Sequence, residues 1–176
     1  MRNRSESLRL QCRTALLCAL LCVLSVITFP IGAVPVTLGT LGVFFCGILL
    51  PTRYACLSVF GYLLLGAVGL PVFSSMQGGI GILFGITGGF LWGYLPAVLI
   101  LSFFRCRFPE RSVFAELCIG LLSLLLCYLC GTIQFMILTS CSIGTALTVC
   151  ILPFVLFDLL KLSAALYLSR RFRHHL

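Results

Sequence analysis

Long apolar runs, separated by short stretches of proline, glycine and charge, organise this chain. The breaks define six runs, at about residues 14 to 30, 35 to 51, 54 to 70, 80 to 104, 113 to 138 and 144 to 169. A helix needs roughly 20 apolar residues to cross a bilayer. The pattern therefore predicts an all-α, polytopic membrane protein with six transmembrane helices, of which the second, short and opened by Thr37, Gly39 and Thr40, is the weakest.

The segment between the third and fourth runs differs from the rest. It reads GLPVFSSMQGGIG, from Gly69 to Gly81, and is too polar and glycine-rich for a span although half of it is apolar. Backbone of this kind is tolerated near a membrane where it is buried in protein. We therefore predict a loop folded over the helices.

The composition agrees with a membrane protein. The chain is 61% apolar and 9% charged, whereas soluble domains carry roughly 25% charged residues. Its 176 residues suffice for six spans and little else, so we expect a single transmembrane domain over residues 1–176. A soluble catalytic domain is excluded.

Charge predicts the orientation. Eleven of the twelve basic residues lie before the first run, between the second and third, between the fourth and fifth, and after the sixth: Arg2, Arg4, Arg9, Arg13, Arg53, Arg105, Arg107, Arg111, Arg170, Arg171 and Arg173. With six spans, these places share one side, which predicts cytoplasmic termini in a multi-pass protein of the cell (inner) membrane. The net charge of +8 then requires no nucleic acid, only contact with anionic membrane lipid.

The twelfth basic residue, Lys161, lies inside the last run together with Asp158. At 1.5 Å per residue, Asp158 lies about 18 Å from Arg170, near the bilayer middle, and the two residues share a helix face. An ionised group there costs roughly 2.5 to 3.5 kcal/mol, and such residues commonly mark ligand or ion pathways. The alternative is a pair that only orients the helix. Pro153 predicts a kink and an opening beside the pair.

Other side chains predict the walls of a site. Phe73, Gln77, Trp92, Tyr94, Phe154 and Phe157 are candidates, although Trp92 and Tyr94 are equally typical of an interfacial belt. The eleven cysteines are expected as small core residues, and the lone Cys127-x-x-Cys130 does not predict a metal site. No cofactor is expected. With histidines only at His174 and His175 and no Walker motif, the chain is not expected to be an enzyme.

Two stretches carry small residues at helical spacing. Ala15 and Ala19 form a small-xxx-small pair in the first run, and the glycines of GITGGFLWGY, residues 85 to 94, indicate a close helix crossing or a ligand against the backbone.

The chain resembles the BioY family, the biotin-specific substrate-binding components of energy-coupling-factor transporters. VPVTLGTL, YLLLGAVGLPVF, GITGG and PFVLFDLLK are similar to family motifs of the forms VPxTxQTL, YLLLGAxGLPVF, GPTGG and PxxxxDxxK. The likeness runs from Ala15 to Arg173. Gly39 and Ile86 depart from it, where the family usually has glutamine and proline.

The resemblance implies a six-helix protein that captures extracellular biotin and works with a transmembrane coupling subunit and two cytoplasmic ATPase subunits. It assigns partner docking to Ala15 and Ala19, and places Phe73, Gln77 and Gly78 in a lid. The substrate-binding set that it predicts is Thr37, Phe73, Gln77, Gly78, Trp92, Tyr94, Asp158 and Lys161.

The chemistry of biotin leaves alternatives open. Asp158 can accept from the ureido N–H groups and Lys161 can neutralise the carboxylate, or both can act at one end. The alternatives in function are an ion- or proton-coupled secondary transporter with Asp158 and Lys161 as a relay, a binding component for a different vitamin, and a membrane scaffold. Formation of a homo-oligomer is also left open.

Overall fold

Helices make up nearly the whole computed structural model, which describes residues 4–29, 34–108 and 112–172. The helices are α1 Arg4–Val26, α2 Gly39–Leu49, α3 Thr52–Ala67, α4 Ile80–Leu83, α5 Gly88–Arg107, α6 Val113–Thr139, α7 Ile143–Cys150 and α8 Leu152–Phe172. Two short strands, β1 Thr28–Phe29 and β2 Val36–Thr37, pair antiparallel. The predictions for Arg2, Arg111, Arg173, His174 and His175 fall outside the described residues.

The predicted all-α membrane architecture is confirmed. Within the described residues, four helical segments are long and apolar enough to cross a membrane: Arg4–Val26, Gly88–Arg107, Val113–Thr139 and the α7–α8 segment Ile143–Arg171. Helices α2 and α3 have 11 and 16 residues, fewer than the roughly 20 that a span needs. The count of six spans therefore stays a prediction.

The first predicted run was wrong at both ends. Helix α1 begins at Arg4, because the polar residues before the apolar run continue the helix, and it ends at Val26. Thr28 then pairs with Thr37 and Phe29 with Val36. The chain thus enters α2 through a small β-hairpin that the apolar pattern did not reveal.

Two runs predicted as single helices are broken. The fourth divides into α4 and α5 at residues 84–87. The sixth divides at Ile151 (φ −120°, ψ −52°), and Pro153 lies in the first turn of α8. Proline is tolerated there because the N–H groups of a first turn have no partner within the helix. The predicted kink beside Asp158 is confirmed.

Glycines bring α5 and α6 into close contact. A Cβ on Gly93 would lie 2.9 Å from the Cα of Cys127, and one on Gly131 would overlap the ring of Phe90. Small residues of this kind let helix backbones approach. The close crossing brings the aromatic residues of α5 toward those of α6.

The loop between α3 and α4 is folded over protein, as predicted. The Phe73 ring is fully buried, edge-to-face with Tyr62 at 5.5 Å between centroids. It lies over Gly66, whose carbonyl oxygen accepts from the Gly79 N–H at 2.7 Å. We call residues 69–79 the lid loop.

One end of the bundle collects the basic helix ends. Arg170 donates to Oε2 of Glu116 through Nε and Nη2, at 2.9 and 2.8 Å, joining the end of α8 to the start of α6. Arg105, at the end of α5, lines a crevice with Glu116. The Thr52 hydroxyl donates to the Cys106 sulfur at 3.7 Å, so α3 begins at the same end.

We predict that Gly66→Ala destabilises the protein by about 1 to 3 kcal/mol, because the new methyl group would overlap the Phe73 ring. The measurement is thermal unfolding in detergent. Gly81→Ala is the matched control, since a Cβ there meets no atom within 4 Å in the described structure. Equal melting temperatures for the two variants would contradict this packing of the lid loop.

Candidate ligand-binding site

A cavity of about 60 Å³ lies where α1, β2, α2, α3, α5, α6 and α8 meet. Its walls are mostly aromatic and hydroxyl side chains. The described lining residues are Ser25, Val34, Pro35, Thr37, Thr40, Tyr62, Ser74, Thr87, Phe90, Leu91, Tyr94, Cys127, Tyr128, Phe154, Asp158 and Lys161. Apolar walls with a few placed polar groups are typical of small-molecule sites.

Asp158 and Lys161 form a buried ion pair at this cavity. Lys161 Nζ lies 2.8 Å from Asp158 Oδ1, and the two side chains are 8% and 2% exposed, respectively. The prediction that the two residues share a helix face is confirmed. Both residues lie in the first half of α8, after the break at Ile151, and both line the cavity.

Lys161 also makes hydrogen bonds to the chain at the start of α2. Its ammonium group donates to the Thr37 carbonyl oxygen at 2.6 Å and to the Thr40 hydroxyl at 3.2 Å, in addition to Asp158. An ammonium group has three N–H donors. All three N–H donors of Lys161 therefore have partners within the protein. Two of these partners, Thr37 and Thr40, lie where β2 leads into α2.

Asp158 is also extensively hydrogen-bonded. Oδ1 accepts from Lys161 and from the Thr40 hydroxyl at 2.8 Å, and Oδ2 accepts from the Tyr128 hydroxyl at 2.6 Å. A carboxylate offers about four acceptor positions. The contacts in the described structure leave acceptor capacity on Oδ2, next to the cavity.

The structure brings together four of the eight predicted substrate-binding residues, Thr37, Tyr94, Asp158 and Lys161. Phe154, a further predicted wall residue, also lines the cavity, whereas Phe157 is 40% exposed and is absent from its described lining.

The other four predicted binding residues are absent from the described lining of the cavity. Phe73 lies behind Tyr62, and the Trp92 indole N–H donates to the Leu83 carbonyl oxygen at 3.1 Å. Gln77 is exposed and Gly78 packs against the backbone of Leu70. The lid loop contributes Ser74 to the wall instead. A direct ligand contact by these four residues stays a prediction.

Sequence reasoning missed Thr40, Tyr62 and Tyr128. A pattern on α6 could have indicated Tyr128, because small, polar or aromatic residues recur there every three to four positions at Gly120, Ser123, Cys127, Tyr128 and Gly131, all of them buried. Such a stripe predicts the inward face of a helix. Thr40 lies in a quoted motif, yet its neighbour Asp158 is 118 positions away.

Two further sets of residues from the sequence analysis are the small residues of α1 and the cysteines. Ala15 and Ala19 are exposed on α1. All eleven cysteines are free. In the described part of the chain, no three His, Cys, Asp or Glu side chains come together as metal ligands would.

These features define a class of protein: a multi-pass, all-helical membrane protein with a cavity between its helices. The model of the BioY family matches residues 1–176. The chain belongs to the BioY family.

Individual relatives and a solved structure support this family assignment. A biotin transporter BioY from Thermotoga maritima is 35% identical over 156 residues, which are 88% of this chain and 90% of the relative. A biotin transporter BioY2 from Lactococcus lactis is 36% identical over 147 residues, 84% of this chain and 80% of the relative. The crystal structure of the S-component for biotin from an ECF-type ABC transporter superposes with a TM-score of 0.93 at 26% identity, covering 99% of this chain and 95% of that one.

We predict that Lys161→Met destabilises the protein by about 3 to 5 kcal/mol, because it leaves Asp158 buried without a counter-charge. The double variant Asp158→Asn/Lys161→Met should lose less, since no net charge remains buried. Thermal unfolding in detergent measures both. A double variant as unstable as the single one would contradict this explanation, because the loss would then not come from an unpaired buried charge.

Proposed function

We propose that this chain captures extracellular biotin in the cavity and delivers it inward as the substrate-specific subunit of an ATP-driven energy-coupling-factor transporter. Membership of a family of transport proteins supports a role in transport, and the protein is not an enzyme. The observation that carries the proposal is the buried Asp158–Lys161 pair on an aromatic-walled cavity, together with the match to an S-component for biotin.

The chemistry of the cavity suits biotin. Aromatic side chains, among them Phe90 and Phe154, stacked at 6.3 Å between centroids, offer apolar surface to the bicyclic ring and the valeryl chain. The acceptor capacity on Asp158 Oδ2 suits a ureido N–H. Lys161 fixes that carboxylate in place, because the ammonium group binds Asp158 and the Thr37 carbonyl oxygen together.

Binding requires the walls to move. The cavity encloses about 60 Å³, whereas sites for small molecules typically enclose roughly 300 to 1,000 Å³. Ser74 of the lid loop and Pro35, next to β2, are wall residues outside the long helices. Outward movement of these two segments makes room for the ligand without displacing the helices.

The proposed topology is a single substrate-binding domain over residues 1–176 with six crossings and cytoplasmic termini, in the cell (inner) membrane. It is supported by the shared location of the basic ends of α3, α5 and α8. The ion pair lies in the first half of α8, away from that basic end, so the cavity opens toward the outside.

The proposed partners are a transmembrane coupling subunit and two ATPase subunits, which supply the energy for transport. Ala15 and Ala19 are exposed on α1, one helical turn apart. A surface of small residues allows another helix to approach closely, and we assign docking of the coupling subunit to it.

We predict that purified protein binds biotin and that Asp158→Asn and Lys161→Ala each weaken binding by about 10- to 150-fold. A charge-assisted contact is worth about 1.5 to 3 kcal/mol. Isothermal titration with biotin, and with other vitamins for comparison, measures the affinity.

The matched control is Glu116→Gln, which alters the second ion pair, away from the cavity. It should leave the affinity for biotin unchanged. If Asp158→Asn and Lys161→Ala bind as tightly as the unaltered protein, the assignment of the site is wrong.

We predict that Ala19→Trp abolishes association with the coupling subunit while leaving the affinity for biotin unchanged, because the indole would fill the space for the partner helix. Co-purification measures association. Leu160→Trp is the control, since Leu160 is also an exposed apolar residue but lies on α8. Normal assembly of the Ala19→Trp protein would move the docking surface elsewhere.

A further inference from the structure

A second cluster of polar side chains lies on the cavity wall, and all of its polar groups are hydroxyls. Ser25 comes from α1, Tyr62 from α3 and Tyr94 from α5, and all three line the cavity. The two tyrosine rings are stacked, with 6.3 Å between centroids and 30° between planes. All three residues are buried, with exposures of 2% for Ser25, 0% for Tyr62 and 5% for Tyr94.

Gly39 allows hydroxyl groups to lie against the backbone at the start of α2. A Cβ at this position would lie 2.6 Å from Tyr94 Oη, 2.7 Å from Ser25 Oγ and 3.2 Å from Thr37 Oγ1. Distances this short leave no room for a Cβ. The positions of the Ser25 and Tyr94 hydroxyls therefore depend on glycine at residue 39.

Two of these hydroxyls are not satisfied. Ser25 Oγ and Tyr62 Oη lie close to each other, but neither makes a well-aligned hydrogen bond to any residue in the described part of the chain. Buried polar groups nearly always have a partner, and one left without a partner costs about 1 to 3 kcal/mol. Both atoms therefore require an acceptor or a donor that a cavity ligand can supply.

The surroundings select an uncharged ligand group. In the described lining, Lys161 is the sole cation; its three N–H groups are used and its charge is balanced by Asp158. A carboxylate at the hydroxyls would thus lack a free counter-charge. A carbonyl oxygen needs only N–H or O–H donors, which Ser25 and Tyr62 have.

We propose that the hydroxyls of Ser25, which lies against Gly39, and of Tyr62 form a subsite that donates hydrogen bonds to an uncharged carbonyl oxygen of the ligand. This rests on the proposed function, under which the group is the ureido carbonyl of biotin. The turn from Thr37 to Thr40 borders both this subsite and the ion pair. One cyclic urea can therefore give its N–H to Asp158 and receive hydrogen bonds from the two hydroxyls.

The test is isothermal titration of full-length Tyr62→Phe and Ser25→Ala with biotin, biotin methyl ester and 2-thiobiotin. Each variant should bind biotin about 2- to 13-fold more weakly, as expected for one lost hydrogen bond between neutral groups. The same loss should appear with the methyl ester. It should shrink with 2-thiobiotin, because sulfur is a weak acceptor.

A different pattern overturns the subsite. Unchanged affinity for biotin in both variants would do so, as would a loss that disappears with the methyl ester, which would assign the hydroxyls to the carboxylate. Gly39→Ala, which displaces the Ser25 and Tyr94 hydroxyls without removing either, should also weaken binding. Tyr167→Phe, at a residue that is 66% exposed, controls for loss of a tyrosine hydroxyl.

The outcomes separate this inference from the proposed function. If the unaltered protein does not bind biotin, the proposed function fails and the subsite fails with it. If binding is present and depends on Asp158 while Tyr62→Phe and Ser25→Ala bind normally, the subsite alone is wrong. Melting temperatures of the variants, measured in the same detergent, identify any loss of binding that comes from misfolding.

Discussion

The burial of Asp158 and Lys161 is the constraint on which the rest of this structure depends. Two charges removed from water need several hydrogen bonds each, because their mutual attraction alone does not offset the loss of hydration. The start of α2 supplies the Thr37 carbonyl oxygen and the Thr40 hydroxyl, and α6 supplies the Tyr128 hydroxyl. These contacts hold three distant segments of the chain around one cavity.

The same ion pair contributes to stability and to the proposed binding. Lys161 uses its three donors within the protein, whereas Asp158 keeps acceptor capacity on Oδ2. Both charges are therefore paired at the wall of a cavity of about 60 Å³. Under the proposed function, a ligand adds hydrogen bonds to this network without breaking the pair. The walls must still move, but the charged groups are already held in place, which lowers the cost of ordering them on binding.

The sequence predicts some parts of this architecture well because they are local. The apolar runs locate α5, α6 and α8, and the spacing of Asp158 and Lys161 places them on one face. The Thr28–Thr37 pairing and the break at residues 84–87 were missed, since both depend on tertiary contacts that hydropathy does not encode; Gln134 of α6, for example, donates to the Leu83 and Gly85 carbonyl oxygens. Resemblance to a family supplied Thr37. Tyr128 lies on the buried stripe of α6, but only its hydrogen bond to Asp158 shows that it belongs to the site.

The shortness of α2 explains why the site lies where it does. Eleven residues give about 16 Å of helix, so a chain segment that enters the membrane beside α2 must start or end that helix within the bilayer. Backbone groups there need partners within the protein. The Thr37 hydroxyl accepts from the Gly39 N–H, and the Thr37 carbonyl oxygen, which β2 and α2 leave free, accepts from Lys161. The irregular backbone and the buried cation thus satisfy each other at the wall of the cavity.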